Sequence, residues 1–170
     1  KLQSEIDDEK DKAESTRHIK NMDSYRAYLQ GMYHFYKYTP EDSAKAIENF
    51  KRSSELDPNY GPAYAGQASC LTYLGATGRR KPKDVFPEAE KLAKKAIELS
   101  PDNAWSYIAI GVINLFYKWN FPQAKFHFEK AIELNPSSAE PYTYLGWYYL
   151  MMENFTKNLE HQQKAHELNP

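Results

Sequence analysis

Tyr142-Thr143-Tyr144-Leu145-Gly146-Trp147-Tyr148-Tyr149 is the stretch whose reading decides the fold. It places one glycine inside an aromatic run, and 24 residues after Gly146 the chain reaches His166-Glu167-Leu168-Asn169-Pro170. That closing pattern occurs three times earlier, as Ser54-Glu55-Leu56-Asp57-Pro58, Ile97-Glu98-Leu99-Ser100-Pro101 and Ile132-Glu133-Leu134-Asn135-Pro136. The prolines lie 43, 35 and 34 residues apart. A small residue precedes each close, in Gln30-Gly31, Gln67-Ala68, Ile110-Gly111 and Leu145-Gly146. Between the two landmarks runs a third, spaced four residues and then three: Ala46, Phe50, Ser53; Ala89, Ala93, Ala96; Ala124, Phe128, Ala131; Asn158, Gln162, Ala165. A period near 34 with such landmarks marks stacked helical hairpins.

The residue types explain why. Small side chains let two antiparallel helices approach closely, and Phe50 and Phe128 fill the space between hairpins. Each closing Asp-Pro, Ser-Pro or Asn-Pro stops a helix, because the residue before proline is pushed out of helical geometry. One hairpin cannot bury its own apolar face, so several must stack. From the small landmark to the closing proline the spans are 27, 33, 25 and 24 residues. The surplus falls near Tyr38–Asp42, in Gly75–Pro87, which carries Gly78, Pro82 and Pro87, and near Trp119–Pro122. These irregularities locate loops, with Tyr38–Asp42 reading as a turn followed by a helix start.

The pattern resembles the tetratricopeptide repeat. Tyr142 through Tyr149 fits that family's W-x2-L-G-x2-Y frame with Tyr in place of Trp, and Ala165 and Pro170 fall in step. The resemblance covers about residues 24–170. It implies an all-α, right-handed superhelical solenoid of about four helix-turn-helix hairpins within residues 21–170. The repeats would run over about 24–58, 61–101, 104–136 and 139–170. The last departs from the frame at Asn158 and Gln162, where Ala and a large aromatic are expected. The runs Tyr28-Leu29-Gln30-Gly31, Thr39-Pro40-Glu41-Asp42, Leu56-Asp57-Pro58-Asn59-Tyr60, Ala63-Tyr64-Ala65-Gly66 and Leu115-Phe116-Tyr117-Lys118-Trp119-Asn120-Phe121 resemble one bacterial subgroup. There the repeats follow a regulatory or signalling domain, such as a winged-helix DNA-binding domain or a nucleotide cyclase. The implied parent is a multidomain regulator, and the implied compartment is the cytoplasm, with the periplasm compatible.

Composition narrows the function. Across 170 residues, 22 basic and 23 acidic side chains give a net charge of −1. Such a balance argues against a segment held to nucleic acid or anionic lipid by bulk charge. The longest apolar stretch, Tyr107–Tyr117, is too short for a membrane span. One cysteine, Cys70, leaves no internal disulfide framework, and its apolar setting suits a buried structural thiol. Residues 1–20, with six acids and five bases, read as a polar lead-in helix or linker. The start at Lys1 without Met suits a processed or excised piece. Pro170 falls on the last landmark with no polar capping helix after it, so the array is expected to continue, or an apolar end to self-associate.

Catalytic patterns are missing. There is no G-x-x-x-x-G-K-S/T loop, no H-E-x-x-H and no G-x-S-x-G. None of His18, His34, His127, His161 and His166 forms a zinc spacing with Cys70, so each reads as a surface or packing residue. A non-enzymatic protein with no catalytic residues, metal or cofactor is expected. Arg79-Arg80-Lys81-Pro82-Lys83, the one dense basic cluster, reads as a solvated loop.

The aromatics point to binding. The four first-helix windows, 24–38, 61–75, 104–119 and 139–153, hold 18 of 25 aromatics. Some of these, Tyr64, Tyr107, Tyr142 and Tyr149, fall where hairpins pack. In the third window Tyr107, Ile110, Gly111 and Asn114 share one face, while Trp105, Ile108, Val112, Leu115 and Phe116 share another. In the family the second face lines a concave groove. Carried across residue by residue, the frame gives Tyr25, Tyr28, Met32, Phe35 and Tyr36 in the first repeat. The second supplies Ala65, Ser69, Thr72 and Tyr73, and the fourth Glu140, Thr143, Trp147, Leu150 and Met151. Candidate partner-binding residues are therefore Tyr25, Tyr28, Met32, Phe35, Tyr36, Tyr73, Trp105, Ile108, Val112, Phe116, Trp147 and Met151. Members that clamp a peptide's terminal carboxylate carry Lys, Arg and Asn at these places, so such a clamp is not expected here. An apolar or aromatic peptide or partner domain fits better. Two rival readings are a small-molecule pocket lined by Tyr36, Tyr73 and Phe116, and a structural spacer that dimerises through its end.

Overall fold

The computed structural model describes residues 21–170, so the polar lead-in over 1–20 lies outside the described residues. Among them are eight α-helices and no strand. Helix α1 occupies 21–35, followed by α2 (Pro40–Leu56), α3 (Gly61–Ala76), α4 (Pro82–Leu99), α5 (Ala104–Phe116), α6 (Phe121–Leu134), α7 (Glu140–Met151) and α8 (Phe155–Leu168). They pair in sequence as four hairpins that stack into a solenoid, with α3 against α5 and α5 against α7 along the inner side.

Local chemistry sets each boundary. The side chains of Thr39, Asn103, Asn120 and Asn154 accept the otherwise orphaned N–H groups of Asp42, Ser106, Gln123 and Lys157 at four helix starts. Asp57, Ser100, Asn135 and Asn169 close α2, α4, α6 and α8 with ψ of 93°, 81°, 85° and 85°, leaving helical geometry just before each proline. Each of the next three starts is then tied back by a hydroxyl. Tyr64 donates to the Pro58 carbonyl at 3.1 Å, Tyr107 to Pro101 at 3.0 Å and Tyr142 to Pro136 at 3.4 Å.

Packing follows the small-residue frame. Phe50 is fully buried, and a Cβ on Gly31 or Gly66 would come within 2.6 or 2.7 Å of its ring. Phe128 repeats the arrangement against Gly111 and stacks on Tyr144 at 5.5 Å and 10°. In the second hairpin the large residue is replaced by Ala93, which packs with Ala68, Ala109 and Ile110. The departures in the last repeat are polar staples: the Asn158 amide donates to the Gly146 carbonyl at 2.8 Å, and Gln162 to Thr143 at 3.4 Å. Only Ala165 of α8 is buried. Phe155 and Leu159 stand exposed on that last helix, the end singled out for self-association.

Tyr38–Asp42 is a turn followed by a helix start and Trp119–Asn120 is a turn, as their spacing suggested, but most of Gly75–Pro87 is helical rather than a loop. The inter-helix turns remain short, and the extra length is helical: α2 has 17 residues and α4 has 18, against 14 for α6 and α8. The physical reason is burial. The added turn of α4 carries Val85 and Phe86, which pack on Ile113 with Leu71 and Phe116, and that gain outweighs the helix-breaking preference of Pro87, held inside α4. All four turns use one left-handed residue, at Tyr38 (φ 54°), Gly78 (70°), Trp119 (54°) and Glu153 (56°). Three of the four therefore hold a side chain where glycine is the easy choice.

The first turn contains an acid-sensitive cluster. His34 Nδ1 lies 2.7 Å from Asp42 Oδ1, and the Thr39 hydroxyl donates to Asp42 Oδ2 at 2.8 Å. The hydrogen bond with His34, helped by those of Thr39 and Lys37, draws the Asp42 carboxyl down from 3.8 to about 2. A lowered carboxyl stabilises the fold above its unfolded pKa and ceases to do so as pH falls through its folded one. Stability should therefore drop between about pH 4 and 2 in urea titrations, and Asp42→Asn should flatten that part of the acid limb.

Candidate functional site

The inner side of the solenoid holds a cavity of about 500 Å3. Its walls come from all four hairpins: Tyr38 from the first turn, Tyr73 and Ala76 from α3, Phe116 from α5, and Glu140, Tyr144 and Trp147 from α7. Beside it a smaller recess is floored by Phe35, Trp105 and Ile108. A shallow trough of about 420 Å3 runs on past Tyr36, Tyr28 and Met32.

Aromatic contacts brace this surface. Trp105 meets Phe35 at 5.1 Å and Tyr36 at 6.0 Å, which ties the first hairpin to the third. Tyr38 meets Phe35 at 5.7 Å and Tyr73 at 5.5 Å, while the Tyr73 hydroxyl donates to the Tyr38 carbonyl at 2.7 Å. Phe116 meets Tyr144 edge-on at 6.5 Å. Such tilted and edge-on pairs favour rigid walls.

The predicted residues divide into three groups. Tyr73, Phe116 and Trp147 line the main cavity, with Trp147 47% exposed. Tyr28, Met32, Tyr36 and Trp105 line the trough, and exposed Tyr25 stacks on Tyr28 at 6.3 Å. Phe35 and Ile108 are buried beneath the recess. Val112 is 0% exposed within the core, so its place on the concave face is closed to a partner. The reason is that α5 is covered on both apolar faces, by α3 and α4 on one side and α6 and α7 on the other. Met151 is exposed at the end of α7 and lines none of these hollows.

Tyr38 and Tyr144 were missed. Tyr38 belongs to a turn, outside the helical frame. Tyr144 had a signal in the repeat alignment: Gly66 and Ala109 stand at the same place in the second and third hairpins, so a ring there is an anomaly. Burial, and then the Glu140 carboxylate, pushes both hydroxyls up to about 12. They remain neutral phenols at any ordinary pH.

The basic run Arg79–Lys83 is exposed, and Arg79 folds back to place its guanidinium 4.9 Å over the Tyr73 ring while donating to the Tyr73 hydroxyl. Burial raises the Cys70 thiol and keeps it protonated. Among the described residues no three His, Cys, Asp or Glu side chains gather as a metal site, and no helix is long and apolar enough to cross a membrane.

Residues 127–167, spanning the third-to-fourth hairpin step, match the family model described as tetratricopeptide repeat. Transcriptional regulator HilA of Salmonella typhimurium is 25% identical over 100 residues, covering 59% of this chain and 18% of HilA. Hsp70-Hsp90 organizing protein 3 of Arabidopsis thaliana is 34% identical over 74 residues, 44% of this chain and 12% of the relative. The chain thus spans under a fifth of the length of these curated relatives. Among solved structures, a thermophilic tetratricopeptide-repeat protein of Thermus thermophilus superposes with a TM-score of 0.61 at 22% identity, over 75% of this chain and 66% of that one. The TPR2B domain of yeast Sti1, solved as a complex with pHsp70, superposes at 0.54 and 21% identity over 86% and 98%. With the family model on residues 127–167 and the same small-residue frame, hydroxyl tie and proline stop in the hairpins before them, the chain folds as a tetratricopeptide-repeat solenoid and its last hairpins match that family's model.

Proposed function

We propose that this array is a protein-interaction module that receives an apolar or aromatic peptide, or an edge of a partner domain, along its inner groove. The observation that carries this reading is the 500 Å3 cavity walled by four hairpins, with Trp147 half-exposed at its edge. Burial of an aromatic anchor in such a hollow is how interface hot spots gain most of their energy. The pHsp70 complex of the Sti1 domain supports peptide or protein binding by this fold. Similarity to the transcriptional regulator HilA supports a place within a bacterial regulator.

The test is a random-peptide display library panned on the protein, followed by affinities of the selected peptides for variants. Trp147→Ala should weaken them by about tenfold or more, about 1.4 kcal/mol or above, with helicity and melting unchanged. Retained affinity in both Trp147→Ala and Phe116→Ala would place the site elsewhere. The small-molecule reading fares less well, because the hollow runs on into the trough past Tyr36 rather than closing around a compact ligand.

A further inference from the structure

Of the nineteen frame positions carried across the four first helices, Glu140 alone carries a charge. Its equivalents are Tyr25 and Trp105 in the first and third hairpins, so a carboxylate stands where those repeats have rings. Glu140 lines the main cavity, the recess and the trough's continuation past Tyr36, so it sits where they converge. Its carboxylate accepts a hydrogen bond from the Ser138 hydroxyl. Among the described residues no Lys, Arg or His pairs with it, whereas nine other ion pairs form across the array. Half-buried acids are ordinarily matched.

The surroundings suit one kind of match. Tyr38, Tyr73, Phe116, Tyr144 and Trp147 present ring faces and edges around the hollow, and no cationic side chain lines it. Ring faces attract cations, and a planar guanidinium both stacks on them and forks onto a carboxylate. The chain already shows the first half of this contact, where the Arg79 guanidinium lies over the Tyr73 ring.

Building on the groove reading above, we infer that the main cavity is the pocket for an arginine side chain of the bound peptide, with Glu140 as its counter-charge and the surrounding rings as its stacking walls. The partner is then a segment with an arginine among apolar or aromatic residues, and Glu140 fixes its register in a groove otherwise uncharged. Tetratricopeptide clamps for a terminal carboxylate place cations on the protein; here the charge is on the protein with the opposite sign.

The experiment uses short blocked probes rather than the unknown partner. N-acetyl-arginine methylamide, N-acetyl-norleucine methylamide and tetramethylammonium are titrated into the 15N-labelled protein, following the Trp147 indole N–H and the Thr143 and Tyr144 amides. The arginine probe should shift these signals, with norleucine at least about tenfold weaker. Glu140→Gln should cut arginine binding by about tenfold while leaving norleucine unchanged. Raising salt from about 20 to 500 mM should weaken arginine and leave norleucine unchanged, a readout that needs no variant. Equal binding of norleucine and arginine, or no response to arginine, overturns the arginine pocket and leaves the apolar groove to be judged by Trp147→Ala. Tetramethylammonium binding as tightly as arginine also overturns it, because a cation without N–H donors cannot use the fork.

Discussion

Phe50→Ala should cost about 3–5 kcal/mol and lower the melting temperature by about 10 °C. The ring is completely buried in α2, pressed between Gly31 of α1 and Gly66 of α3, and its edge meets Tyr28 at 5.7 Å. Removing it leaves a hole between two hairpins rather than at an edge, and helices held by caps and proline stops have little freedom to collapse into it. The loss should be local first. In a linear array each hairpin is held by its neighbours, so amide exchange in α1 and α2 should accelerate before that in α5 and α6. Urea titration followed by hydrogen exchange checks both parts. A cost below about 1 kcal/mol would mean that the ring is not the wedge between hairpins.

Gly111→Ala should destabilise by about 1–3 kcal/mol even though alanine is the better helix former by about 1 kcal/mol. An added methyl there would overlap Phe128 Cε1 and stand 2.6 Å from Cδ1, and that ring is already stacked against Tyr144. Displacement of Phe128 therefore also disturbs a wall of the cavity. Phe128→Leu in the same chain should recover part of the loss, giving a coupling energy of about 0.5–3 kcal/mol in a double-mutant cycle. Strict additivity of the two changes would show that Phe128 yields freely.

The parts legible in the sequence were those repeated in it. Four prolines at a near-constant interval announce four helix ends, and the Ala-Phe-Ser and Ala-Phe-Ala frames announce which faces touch. Exposure was harder, because it depends on the distance between hairpins. Val112 and Trp147 occupy the same frame position, yet one is sealed by α5's neighbours and the other stands half in solvent at the last inner helix. Tyr38 lay outside any periodic argument, since a left-handed turn residue has no helical phase. The lengthening of α4 was hidden by Pro82, Pro87 and Gly78, whose turn signals were overridden by the burial of Val85 and Phe86.

The cavity has no single owner. Its lining is drawn from the first turn, α3, α5 and α7, so it exists only while all four hairpins stay docked. In a one-dimensional array each junction can open separately, and here hairpins as far apart as the first, through Tyr38, and the fourth, through Trp147, supply wall. An occupant of the cavity would therefore be linked to the closed form of every junction at once. It would turn four loosely coupled units into one cooperative body, and the melting transition of the whole array would sharpen as well as rise.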